Sequence, residues 1–91
     1  MMDGNPANLR FTLTEHAATA IAERGIDLVW VARVLARPER TEPHRSDPSL
    51  RHALGRIAER DGRVLRVVYN WTVVPWRVVT VYFDRTQRQT L

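Results

Sequence analysis

Arg63–Asp84 reads RVLRVVYNWTVVPWRVVTVYFD, two β-branched and aromatic segments flanking a short connection that contains Thr72 and Pro75. The pattern predicts a hairpin of two strands, because these residue types fit a pleated, half-buried surface. Successive strand side chains point to opposite faces. In the first arm Leu65, Val67, Tyr69 and Trp71 share one parity, while Val64, Arg66, Val68 and Asn70 share the other. In the second arm Arg77, Val79, Val81, Phe83 and Arg85 alternate with Trp76, Val78, Thr80, Tyr82 and Asp84. Each arm therefore has an apolar parity expected to face helices, with Val79, Val81 and Phe83 among it. The mixed parity carries Arg66, Asn70, Thr80 and Tyr82 and is expected to form the floor of a site. Arg66 interrupts an apolar strand, so it must either face solvent on the open side or be paired; the reading adopted is an exposed arginine.

Working outward, Asp61-Gly62 stands immediately before the first arm and marks a tight turn. Arg51–Arg60, RHALGRIAER, fits helical spacing at Leu54, Ile57 and Ala58, yet its place before Asp61-Gly62 favours the outgoing arm of a hairpin, and a strand is expected. The stretch from Glu39 to Leu50 holds Pro43, Pro48, Ser46 and Asp47, which predicts a loop with a short edge strand near Thr41–His44.

Before it, Leu9, Phe11 and Leu13 alternate with polar residues and predict a short first strand after a frayed leader over about residues 1–8. Thr14 is a good N-cap for a helix over Glu15–Arg24, and Gly25 supplies the left-handed stop. Asp27 caps a second helix over Leu28–Ala36, with Leu28, Val31, Val34 and Leu35 on its apolar stripe and Pro38 beyond its end. The order gives an α+β fold: strand, two helices, then a three- or four-stranded antiparallel meander with both helices on one face of the sheet. A single domain over residues 1–91 is expected, with a frayed tail over about 86–91.

Composition narrows the chemistry. With no cysteine, disulfides, thiolate zinc sites and cysteine nucleophiles are excluded. His16, His44 and His52 lack tight ligand spacing, so no metal is expected, and Ser46 and Ser49 sit in a proline-broken loop rather than a nucleophile elbow. All 14 basic residues are arginine against 10 acids, and a net charge of +4 favours a polyanion or an acidic protein partner. No stretch approaches the ~20 apolar residues of a membrane span, so a cytoplasmic protein without membrane attachment is expected.

HAATAIAERGID (His16–Asp27), LRVVYN (Leu65–Asn70) and VVTVYFDR (Val78–Arg85) together resemble the small bacterial domain of unknown function 4258, which is similar to RelE, ParE and BrnT-type toxins. The resemblance covers roughly Phe11 to Arg85. It implies the RelE-like fold, an RNA-binding open sheet face, and metal-independent endoribonuclease chemistry in which a ribose 2′-OH attacks the adjacent phosphate. It further implies an RNA substrate, an antitoxin partner and no cofactor. The chain departs from the better-known toxins by having no lysine, so any role a toxin gives to Lys falls to Arg.

On that reading His16, Arg66 and Tyr82 are the candidate catalytic residues, and Arg24, Thr80 and Arg85 the candidate substrate-binding residues. The first turn of a helix favours an uncharged, proton-accepting imidazole, which suits His16 to general-base work. Arg66 would clamp the phosphate and stabilise its added charge in the transition state. Arg24 also has a purely local explanation, a cation at a helix C-terminus, and Thr80 and Tyr82 are ordinary strand formers. A non-catalytic RNA- or protein-binding module of the same fold therefore stays open beside the enzyme. The oligomeric state expected is a monomer or small homo-oligomer.

Overall fold

A computed structural model describes residues 10–91. The leader expected over residues 1–8, and Leu9, lie outside them. The chain runs β1 (Phe11–Leu13), α1 (Glu15–Arg24), α2 (Leu28–Ala36), β2 (Arg40–Pro43), β3 (Leu50–Ile57), β4 (Arg63–Asn70) and β5 (Trp76–Phe83), with 3₁₀ turns at Ala58–Arg60 and Arg85–Gln87. It is an α+β fold of two helices and a five-stranded mixed sheet in the order β1-β5-β4-β3-β2. β1 lies parallel to β5, and every other neighbouring pair is antiparallel.

Local chemistry sets the helix bounds. The Thr14 side chain accepts from the Ala17 N–H at 3.1 Å, and Gly25, at φ 63°, closes α1 as the Ile26 N–H reaches back to the Ile21 carbonyl at 3.0 Å. Asp27 caps α2 through the Val29 N–H at 2.9 Å. Val31, Val34 and Leu35 are buried, but Leu28, expected on the same stripe, is 48% exposed, because it opens the helix beside its cap. α2 settles on β3 at Gly55, where an added Cβ would meet Val34 Cγ2 at 3.2 Å.

The core lies between the helices and one face of the sheet: Ala17, Ile21, Ile26, Val31, Val34 and Leu35 meet Ala53, Ile57, Leu65, Val67, Tyr69, Val78 and Val81. β5 departs from the expected alternation. Between Val68 and Tyr69 of β4 the partner jumps from Thr80 to Val78, leaving Val79 as the extra residue of a β-bulge. Val81 and Phe83 face the helices, but beyond the bulge Val78 is buried there and Val79 is only half-buried. A bulge reverses the parity of everything past it, and a strictly alternating reading of β5 has no means of placing one.

The opposite face of the sheet is not fully open. By register, Arg40, Glu42, His52, Leu54, Arg56, Val64, Arg66, Val68, Thr80 and Tyr82 lie on it, and Leu54, Val64 and Val68 are buried. The segment expected to fray covers part of it. Arg85–Gln87 forms a 3₁₀ turn, Arg56 donates to the Arg88 carbonyl at 2.6 Å and to the Leu91 carbonyl at 3.1 Å, and Arg40 donates to Gln87. Among the described residues no helix is long and apolar enough to cross a membrane.

Candidate functional site

β1 is only three residues long and pairs with Trp76–Val78, so β5 has a free edge beyond Val78 whose carbonyls need donors. α1 supplies them. The Thr14 hydroxyl donates to the Val79 carbonyl at 3.3 Å, and Arg24 Nη1 donates to the Val81 carbonyl at 2.8 Å, one at each end of the helix. Arg24 is thus a clamp between α1 and β5, and its guanidinium is directed at backbone rather than at a cleft.

That anchoring places His16, in the first turn of α1, over the same edge. Its Nε2 lies 3.3 Å from Thr80 Oγ1, a contact between residues 64 positions apart. Tyr82 follows two residues along β5 on Thr80's face, half-buried and directly across from Arg66. The structure therefore brings His16 and Thr80 together at a rim that continues along β5 toward Tyr82. His16 is exposed and the hydroxyl of Thr80 is within its reach, so an incoming group meets an imidazole and a hydroxyl together.

Arg66 corrects the reading of an exposed phosphate clamp, since its side chain is 8% exposed. Its Nε donates to Asp84 Oδ2 at 2.8 Å, and Nη1 donates to Glu42 Oε1 at 2.9 Å and to His52 Nδ1 at 2.7 Å. A guanidinium only donates, so His52 Nδ1 must accept and its proton sits on Nε2. Nε2 then donates to His44 Nδ1 at 2.8 Å. The result is a chain of hydrogen bonds across β2, β3, β4 and the end of β5. In an apolar strand, burying a charge demands such partners, and two carboxylates provide them.

The electrostatics follow from the same contacts. The hydrogen bond from Arg66 holds the Glu42 carboxyl below its ordinary range despite partial burial. Burial pushes the Asp84 carboxyl up, but hydrogen bonds from Thr86 and Arg66 together outweigh it and leave it lowered. Burial works against the charge on Arg66, yet Glu42 and Asp84 raise its pKa on balance. Burial first, then the facing guanidinium and His44, lower His52 below the usual 6.5.

Arg85 opens the final 3₁₀ turn and is exposed, lining a cleft with Arg63 and Arg88 rather than joining the His16 rim. Of the six candidates, His16 and Thr80 meet at the rim, Tyr82 lies two residues further along β5 on Thr80's face, Arg24 braces the helix behind them, Arg66 is locked into a salt-bridge network, and Arg85 lies at the end of the sheet. Glu42, Asp84 and His52 were not singled out in the sequence as partners of Arg66. The one available signal was an arginine inside an apolar strand. Among the described residues no group of three or more His, Asp or Glu side chains is placed to hold a metal ion.

No curated protein and no solved structure matches the chain. A family model, described as a domain of unknown function (DUF4258), matches residues 13–83, from the last residue of β1 to the last of β5, and so takes in both helices, the His16 rim and Arg66 with Glu42 and His52, ending one residue before Asp84. The chain belongs to the DUF4258 family.

Proposed function

We propose that this domain is a RelE-like, metal-independent endoribonuclease whose reacting phosphate sits on the rim formed by His16, Thr80 and Tyr82. The observation that carries the reading is the 3.3 Å contact between His16 Nε2 and Thr80 Oγ1, which brings a histidine from α1 to the strand that bears Tyr82. In this mechanism His16 takes the proton of the ribose 2′-OH as its oxygen attacks phosphorus. The bond to the 5′-oxygen breaks, and Tyr82 or water protonates the leaving oxygen. Thr80 orients the imidazole or the phosphate. Arg66 acts indirectly: held by Asp84 and Glu42, it fixes the strand opposite Tyr82 and the start of the turn that carries Arg85. The toxin-like reading also makes an antitoxin protein the natural partner.

The test is incubation of purified protein with mixed RNA in EDTA. Wild type is expected to give fragments ending in 2′,3′-cyclic phosphate, and His16→Ala to lose about 10²–10⁴-fold of the rate, the usual share of a general base. Cleavage unchanged in His16→Ala removes the histidine from the mechanism.

A second reading, a non-catalytic module binding RNA or protein, is favoured by the pairing of Arg66 with two carboxylates, which leaves that cation neutralised. RNA that stays whole while anisotropy shows salt-dependent binding supports it.

A further inference from the structure

The sheet ends in a second feature that the rim does not use. Where β4 begins and β5 finishes, Arg63, Val64, Phe83, Asp84, Arg85 and Arg88 line a cleft of about 430 Å³. Among the described residues, none of the three guanidiniums meets a carboxylate. The acid that lines the cleft is already engaged: Asp84 Oδ2 receives Arg66, and its Oδ1 receives the Thr86 N–H at 3.0 Å and hydroxyl at 2.6 Å. Three cations facing one cleft repel one another unless an anion joins them, and the guanidinium fork suits the oxygens of a phosphate.

The cleft also offers a stacking surface. The Arg63 guanidinium carbon lies 4.4 Å from the Phe83 ring centroid, within cation–π reach of the ring. Trp30 meets Phe83 edge-on at 6.4 Å and fixes the ring from the helix side. Arg60 lies 5.1 Å from the same centroid and adds positive charge. A guanidinium plane braced in this way is a platform for a flat heterocycle.

We propose that the Arg63–Arg85–Arg88 cleft binds a nucleoside monophosphate unit, with Arg85 and Arg88 on its phosphate and the base stacked on the Arg63 guanidinium. The volume fits one such unit and falls in the usual range for small-ligand sites, roughly 300–1,000 Å³. The site does not depend on cleavage at the His16 rim, and binding here survives even if that cleavage is never observed.

Isothermal titration calorimetry at low salt with adenosine 5′-monophosphate, adenosine and inorganic phosphate tests it. The monophosphate is expected to bind more tightly than either fragment. Arg88→Gln and Arg63→Gln are each expected to weaken it by about tenfold or more, the scale of a lost charge-assisted hydrogen bond or stack. Arg77→Gln, which removes an exposed charge at the other end of β5, is expected to leave it unchanged. Melting curves check that each variant is folded; if Arg63→Gln is not, the exposed Arg88 decides alone. Absence of binding by wild type overturns the proposal. So does equal affinity for phosphate and the monophosphate, or an equal loss in Arg77→Gln and Arg88→Gln.

Discussion

The arginines on either side of Asp84 behave oppositely. Arg66 is buried and paired with Glu42 and Asp84, and its Nη1 also donates to His52. Arg85 and Arg88 are exposed, and among the described residues neither forms a salt bridge. Asp84 divides the two, since it gives Arg66 its partner and forms the wall of the cleft that Arg85 and Arg88 line. The same side chain is part of the fold in one place and available to a ligand in the other. What separates them is whether a carboxylate from another strand arrives, and this is a property of the sheet register.

The sharpest way to break that comparison is to remove the buried member. Arg66→Ala leaves the nearly buried Asp84 without its guanidinium and Glu42 without its main partner, and taking away one half of a buried pair costs about 3–5 kcal/mol. For a domain of this size that is a large part of its stability. Denaturant melts are expected to show the loss, with Arg88→Gln close to wild type. An Arg66→Ala protein as stable as wild type would mean that the network is solvated and the cation is available after all.

Next in size is the effect of the bulge on β5. Val81→Ala empties a fully buried site facing the helices and is expected to cost about 2 kcal/mol, from two lost methyl groups and the cavity they leave. Val79→Ala, at the extra residue of the bulge, is expected to cost under about 1 kcal/mol on the same reasoning. Equal losses would restore the unbroken alternation.

These two contrasts also mark how far the sequence could be read. Both helices were legible to the residue, because Thr14, Gly25 and Asp27 act locally, through hydrogen bonds only a few positions long. The strand over β3 was legible as far as Ile57 because Asp61-Gly62 commits the chain to a turn, with φ 58° and 75°; Ala58–Arg60, read as part of the strand, wind into a 3₁₀ turn before it. Val79 was misplaced because nothing in its neighbours marks a bulge. Arg66 was misread because its partners come from Glu42, in the least patterned stretch, and from Asp84, past the end of β5. The tail was misread for a like reason: it is polar and unpatterned, but Arg56 on β3 hydrogen-bonds its carbonyls. The rim was legible only in its members, since the meeting of His16 with Thr80 depends on α1 crossing the free edge of β5.

A smaller effect is expected from pH, acting on the network and not on the cleft. The pKa of His52 is lowered in the folded state, so between that value and 6.5 the unfolded chain binds more protons at this position. Stability therefore rises with pH across that window and is lost as pH falls through it. The structural reason is that a proton on Nδ1 would face the Arg66 donor at 2.7 Å. Lowered Glu42 and Asp84 act in the same sense further down, in the carboxylate range. Melting temperatures followed from pH 7.5 to 5 (roughly the histidine window) are expected to fall in wild type and to fall less in His52→Gln. A flat profile in wild type would mean that the imidazole takes up its proton without disturbing Arg66.

The smallest effect is expected where the bonding looks strongest. Arg33 and Glu59 form a bidentate salt bridge, with contacts of 3.0 and 2.9 Å, and the hydrogen bond from Arg33 pushes the Glu59 carboxyl down to about 2. Its direct hydrogen bonds are only slightly longer than the 2.7, 2.8 and 2.9 Å of Arg66. Yet both side chains are close to half exposed, 44% and 47%, so water solvates the charges in the unfolded and folded chain alike, and salt screens what is left. A depressed carboxyl pKa adds stability above the ordinary carboxylate range and loses it as pH falls toward the folded value, but at an exposed site that contribution is largely cancelled by solvent. Arg33→Gln is therefore expected to melt with wild type, at low and at high salt. If instead it loses as much stability as Arg66→Ala, hydrogen-bond geometry rather than burial decides which arginines this fold depends on, and the distinction between the network and the cleft has to be redrawn on that basis.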